Sequence, residues 1–165
     1  MPFDIFLDRD GTLVRDTGYI SKENEVEVLV GVIQGLKLFT EKGYRLHIVS
    51  NQSGVPRGKI SMLEFEKVEN YINEAFRIEH ISFDSYNYCF HLSTDGCECR
   101  KPKSGLLEKV SEKFEIDKTK SAMLGNSDVD QDAAKCFGIP FWRVGDTEKN
   151  FYQITREVVK YFEGL

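Results

Sequence analysis

No run of apolar residues in this 165-residue chain approaches the roughly 20 needed to span a bilayer. The opening MPFDIF also lacks the basic start and long apolar stretch of a secretory signal. With both missing, a cytoplasmic address and no membrane partner are expected. Prolines number only four, and no Pro/Ser-rich linker, low-complexity tract or internal repeat divides the chain. One domain over residues 1–165 is therefore expected, a length that suits one core and is short for two, and a monomer with it. Basic residues are outnumbered, 22 Lys and Arg against 27 Asp and Glu for a net charge of −5. That balance disfavours the broad basic stripe that displaces counterions from nucleic acid. A small anionic ligand needs only a few local cations and stays open. Histidine is scarce at three residues and cysteine at four, yet three of the four cysteines crowd between Cys89 and Cys99. In a reducing compartment such a cluster reads as metal ligands before disulfides.

What is present alternates. The apolar run FDIFL at residues 3–7 breaks at once into DRDGT, as a buried strand ending in a loop does. VIQGLKLFTEKG carries Val32, Leu36 and Phe39 at helical spacing, with Gly43 as a stop. YRLHIV is a second strand running into SNQSG. Ser61 and Glu64 form a capping box before a helix with Phe65, Val68, Ile72 and Ala75 on one face. SYNYCF predicts a third strand, GLLEKVSEKFEI a helix with Leu107, Val110 and Phe114 inward, and SAML a fourth strand. VDQDAAKCFG predicts a helix stopped by Gly138, with Cys136 in its core, and PFWRV a fifth strand. The last segment places Ile154, Val158 and Tyr161 on one face. Strands alternating with helices predict an α/β fold, a mainly parallel sheet covered on both faces. Ligands bind such sheets beyond the carboxyl ends of the strands, so DRDGT, SNQSG and LGNSDVD should converge there. Little spare sequence is left for a large cap domain.

DRDGT raises a problem of its own, because Asp8 and Asp10 crowd around Arg9 and like charges oppose each other's ionisation. A carboxylate at a strand end can attack phosphorus, and a second one two residues on can carry the proton. Hard oxygen ligands here suit Mg²⁺. An Asp/Gly-rich turn would look the same. SNQSG supplies hydroxyl, amide and N–H donors for phosphoryl oxygens, or it is a polar turn. In CRKPKSG, Pro102 favours a fixed turn; Lys101 offers a point charge and Arg100 a bidentate fork. A solvated basic run is the alternative. GNSDVD offers Asn126 and Asp130 as metal ligand and lysine orienter, or as a polar helix start.

In this order and spacing the four stretches resemble the haloacid dehalogenase superfamily of phosphatases, from Asp8 to about Gly138. The resemblance implies a three-layer α/β/α sandwich with Asp8 as nucleophile, Asp10 as general acid/base, and Ser50 and Lys101 as phosphoryl stabilisers. It implies Mg²⁺ on Asp8, the Asp10 carbonyl and Asn126, with Asp130 in support. Asn126 departs from the pattern, which usually has Asp; an amide oxygen ligates Mg²⁺ without contributing charge.

Cys89, His91, Cys97 and Cys99 follow C-x-H-x5-C-x-C, a set that fits a closed tetrahedral Zn²⁺ site and a structural loop over residues 89–102. This loop followed by RKP resembles the small capless subgroup of heptose-bisphosphate and histidinol phosphatases, although Phe90 stands where that subgroup has proline. DTGYI (Asp16, Thr17, Gly18, Tyr19) and NQSGVPRGK (Asn51, Gln52, Ser53, Arg57, Lys59) lean towards a small phosphorylated sugar with two phosphates, Arg100 included. Histidinol phosphate, cationic at its far end, would want acidic partners there. Two other readings stay in view. One is a zinc-stabilised binding module disarmed at Asn126; the other, disfavoured by the net acidity, is a polynucleotide 3′-phosphatase.

Overall fold

The structure is a computed structural model that describes residues 2–145 and 147–164. Its apolar runs form β1 (Asp4–Leu7), β2 (Arg45–Asn51), β3 (Ser85–Cys89), β4 (Ser121–Gly125) and β5 (Phe141–Arg143). The amphipathic stretches form α1 (Val32–Glu41), α2 (Met62–Ile78), α3 (Gly105–Ser111), α4 (Asp128–Phe137) and α5 (Phe151–Glu163). Strand and helix alternate along the chain, and the five strands pair in parallel in the order β3-β2-β1-β4-β5.

Successive side chains on a strand face opposite sides, and the burial follows that period. Ile5, Leu7, Leu46, Ile48, Ala122 and Leu124 enter one core with α1, α2 and α5. Phe6, Val49 and Met123 enter the other with α3 and α4. The sheet is thus the middle of three layers, as expected. From β1 the chain builds outward to β2 and β3, then returns to β4 on the other flank. The order reverses at β1, so the crevice that receives ligands in such sheets opens beyond the ends of β1 and β4.

The capping box is present, with the Ser61 hydroxyl accepting from the Glu64 N–H and the Glu64 carboxylate accepting from the Ser61 N–H. Gly138, at φ 87°, ends α4 in the left-handed region as expected. Four expectations are corrected. α3 stops at Ser111 rather than reaching residue 116, because Phe114 turns in against the buried His47 ring at 4.9 Å and beneath the Arg45 guanidinium. On α2 the buried position is Phe76 rather than Ala75, and on α5 it is Phe162 rather than Tyr161. Cys136 is exposed, since Ala133, Ala134 and Phe137 take the inner face of α4. Among the described residues no helix is long and apolar enough to cross a membrane.

Candidate active site

Three strand ends meet on one ammonium. Lys101 Nζ, buried at 2% exposure, donates to Asp8 Oδ1 at 2.8 Å, to Asp130 Oδ1 at 2.6 Å and to the Val49 carbonyl at 2.8 Å. These partners lie after β1, at the start of α4 and inside β2. Asn51 fixes the loop that delivers the lysine: its amide donates to the Lys101 carbonyl and accepts from the Lys101 N–H, both at 3.0 Å. Asn51, expected as a substrate contact, lines the cleft that Asp8 and Lys101 floor, with its amide engaged by the Lys101 backbone. Asp130 is held in turn by the Asn126 and Ser127 N–H groups at 3.1 Å and by the Ser127 hydroxyl at 2.7 Å.

Burial pushes the Asp8 carboxyl up to about 6 against the pull of Lys101, with Asp130 adding to the rise. For Lys101 burial works downward, but Asp8 and Asp130 outweigh it and hold the ammonium above its ordinary value. A cation fixed beside a carboxylate of poised charge suits attack on a phosphoryl group. Among the described residues only Oδ1 of Asp8 has a side-chain donor. Among the described residues neither the Asn126 side-chain amide nor the Asp10 carbonyl finds a hydrogen-bond partner. Three hard oxygens of the kind that hold Mg²⁺ are thereby left uncommitted. Gly11, at φ 81°, keeps this edge narrow: a Cβ there would come within 2.1 Å of Asn126 Nδ2.

Asp10 is turned to its neighbours. Arg9 Nε donates to its Oδ1 at 2.8 Å, and Oδ2 accepts from Arg9 Nη2 at 3.2 Å and Gln52 Nε2 at 2.9 Å. Gln52 Nε2 also reaches the Ser50 hydroxyl at 3.1 Å. The repulsion posed by DRDGT is thus divided, with Asp8 answered by Lys101 and Asp10 by Arg9.

These groups floor a cleft of about 430 Å³ walled by Tyr19, Ile60, Val129 and Arg100. Asp16, Gly18, Ser53 and Gln52 also line it. Thr17, Arg57 and Lys59 do not, and all three are exposed. A larger hollow of about 630 Å³ meets DRDGT only at Gly11 and Thr12; it shares Asp16 and Asn126 with the cleft but is not lined by Asp8, Lys101 or Asp130. Val129 and Glu69 escaped sequence reasoning. Val129 carries no signal, whereas Glu69 is a charge set on the apolar stripe of α2, between Phe65 and Ile72, and was visible there.

The side chains of Cys89, His91, Cys97 and Cys99 also meet. Cys89 Sγ lies 3.8 Å from Cys97 Sγ, 3.1 Å from Cys99 Sγ and 3.4 Å from His91 Nδ1, and all four ligand atoms fall within 4.8 Å of one another. Tetrahedral thiolates at zinc stand about 3.8 Å apart. Burial pushes the Cys89 thiol up to about 12, with the Cys99 hydrogen bond adding to it, so a cation would have to release that proton on binding. Arg100, next in sequence, donates to the His91 carbonyl at 3.1 Å, which ties the cluster to the cleft wall.

Residues 4–142 match the family model described as polynucleotide kinase 3 phosphatase. A D-glycero-alpha-D-manno-heptose-1,7-bisphosphate 7-phosphatase of Campylobacter jejuni is 36% identical over 129 residues, 78% of this chain and 74% of that protein. A D-glycero-beta-D-manno-heptose-1,7-bisphosphate 7-phosphatase of Haemophilus influenzae is 38% identical over 128 residues, 74% of this chain and 70% of that protein. The crystal structure of D,D-heptose 1.7-bisphosphate phosphatase from B. bronchiseptica, complexed with magnesium and phosphate, superposes with a TM-score of 0.89. It is 23% identical and covers 98% of this chain and 99% of its own, a likeness of fold. The protein belongs to the haloacid dehalogenase-type phosphatases, phosphoric monoester hydrolases, in the family of heptose-bisphosphate phosphatases that the polynucleotide kinase 3 phosphatase model covers.

Proposed function

We propose that the chain, acting as one domain, removes a phosphate from a heptose bisphosphate with the help of Mg²⁺. The observation that carries this reading is the Lys101 ammonium bridging Asp8 and Asp130 on the floor of a cleft that also holds Asp10. An Asp8 carboxylate oxygen bonds to phosphorus as the sugar oxygen leaves, taking a proton from Asp10. Asp10 then takes a proton from water, whose oxygen attacks phosphorus, releasing phosphate and restoring Asp8. Lys101 and the Ser50 hydroxyl face the phosphoryl oxygens. Asp8, the Asp10 carbonyl and Asn126 would hold Mg²⁺. When bound it neutralises phosphoryl charge and the carboxylate of Asp8. Zn²⁺ on Cys89, His91, Cys97 and Cys99 would be structural, leaving no position for water and fixing the loop that presents Arg100 and Lys101.

Arg100 on the cleft wall suits a second phosphate better than the cationic tail of histidinol phosphate. The net charge of −5 weighs against a polynucleotide end. The test compares inorganic phosphate released from heptose bisphosphate and from histidinol phosphate, with Mg²⁺ and with chelator. The expected outcome is Mg²⁺-dependent turnover of the heptose bisphosphate at far higher kcat/KM. A preference for histidinol phosphate would overturn the substrate.

A further inference from the structure

Arg9 is shared between two carboxylates, only one of which takes part in the proposed reaction. Its guanidinium is buried at 2% exposure, 5.3 Å from the centre of the Phe65 ring. One edge of the fork, Nε and Nη2, holds Asp10; the remaining nitrogen, Nη1, donates to Glu69 Oε2 at 2.8 Å. Glu69 stands on the inward stripe of α2, sixty residues from Arg9, and is itself fixed from two sides. The Tyr88 hydroxyl of β3 donates to Glu69 Oε1 in a short hydrogen bond, and Asn73 Nδ2 approaches the same oxygen at 3.4 Å. A guanidinium is planar and rigid, so clamping one edge sets the direction of the other.

From this geometry we infer that Glu69 is a positioning residue: acting through Arg9, it determines where the Asp10 carboxyl stands for proton transfer. The inference rests on the reading of Asp10 as the proton carrier. Two features set it apart from an ordinary buried ion pair. Asp10 and Glu69 share no hydrogen bond, yet both are held by the same cation, so the carboxylate at the cleft is registered against α2 through Arg9 as well as against the end of β2 through Gln52. Glu69 also gives Arg9 a partner that persists when Asp10 engages the substrate. Without it, release of Asp10 would strand a buried guanidinium, which costs far more than an exposed one. Glu69→Gln therefore weakens the anchor on Nη1 and lets the Arg9 fork shift, which moves the Asp10 carboxyl off its register.

The test exploits the leaving group. A sugar alkoxide needs the proton from Asp10, whereas p-nitrophenolate leaves without one, and kcat/KM reports on this first displacement alone. In the Mg²⁺-loaded enzyme, Glu69→Gln should lower kcat/KM for heptose bisphosphate by about 10²-fold and for p-nitrophenyl phosphate much less. Asp10→Asn should show the same selectivity, and the double variant should be no worse than Asp10→Asn. Equal losses on both substrates, or additive losses in the double variant, would overturn the inference in favour of a structural ion pair. Selective loss in Asp10→Asn with Glu69→Gln at the parent rate would overturn it while leaving the role of Asp10 intact. Asp10→Asn without selective loss would remove both. Tyr88→Phe, which takes away only the hydrogen bond to Glu69, should show the same selectivity with a smaller loss and serves if Glu69→Gln does not fold.

Discussion

Strands β1 and β2 carry a buried polar cluster at each end, and the two clusters differ in kind. At the end away from the cleft, Asp4 is fully buried and accepts from Arg45 at 2.7 and 2.8 Å and pairs with His47 Nε2 at 2.9 Å. His47 Nδ1 lies 2.9 Å from the Ser85 hydroxyl, which Asn87 Nδ2 also reaches at 3.0 Å. In connectivity this is an Asp–His–Ser series, the constellation of a hydrolase. Yet Phe6 and Phe114 cover the imidazole at 5.4 and 4.9 Å, and none of the three residues lines either hollow described above. Each polar group there has a partner, and Asp4, His47, Ser85 and Asn87 are all buried, so the cluster braces β1, β2 and β3. At the other end, Asp8, Asn126 and the Asp10 carbonyl keep unused oxygens beside a cleft. A functional site is distinguished here by capacity left over after internal pairing, together with access, and not by the residue types.

The widest separation between the two ends is expected from Asp8→Asn. It should cut phosphate release by about 10⁴-fold or more while the chain stays folded by thermal melt. A loss under tenfold would break the contrast. The same variant carries a pH signature in the metal-free protein. Because the fold raises the Asp8 carboxyl from its ordinary 3.8 to about 6, the folded chain keeps a proton between those values that the unfolded chain has lost. The stability contributed by this group falls as pH rises through that window. In chelator, Asp8→Asn should therefore melt above the parent at pH 7, with the difference fading towards pH 4.

At the braced end the effects should invert. Asp4→Ala strands Arg45 and His47 and should lower the unfolding free energy in urea by roughly 3–5 kcal/mol, with kcat of the folded fraction within about threefold of the parent. A tenfold fall in kcat would show that the two ends communicate. The smallest effect should come from Asn126→Asp, which adds the missing charge beside Asp8. The Mg²⁺ concentration for half-maximal activity is expected to fall by about tenfold, roughly 1.4 kcal/mol; an unchanged value would remove Asn126 from the metal site.

Several of these features were legible locally. DRDGT follows β1 at once, SNQSG and GNSDVD begin in the last residues of β2 and β4, and a parallel α/β order is enough to bring them to one edge. The C-x-H-x5-C-x-C spacing declares its own loop because ligands a few residues apart need little from the rest of the chain. The Ser61–Glu64 box and Gly138 are local backbone chemistry, set by orphan N–H groups at one end of a helix and a left-handed residue at the other.

What the sequence determined by itself is therefore the order of elements, the strand-end positions of Asp8, Ser50 and Asn126, and the ligand loop. Tertiary structure decided which neighbour is buried and which carboxylate meets which cation. Helical period marks a broad face, so Phe162 over Tyr161 and Phe76 over Ala75 follow from the surface packed against each helix. Arg9 has an acidic neighbour on either side in sequence, Asp8 and Asp10, but takes Asp10 and the distant Glu69. Lys101 takes Asp8 and Asp130. Such choices depend on distances and burial of a few ångströms, which no one-dimensional pattern encodes.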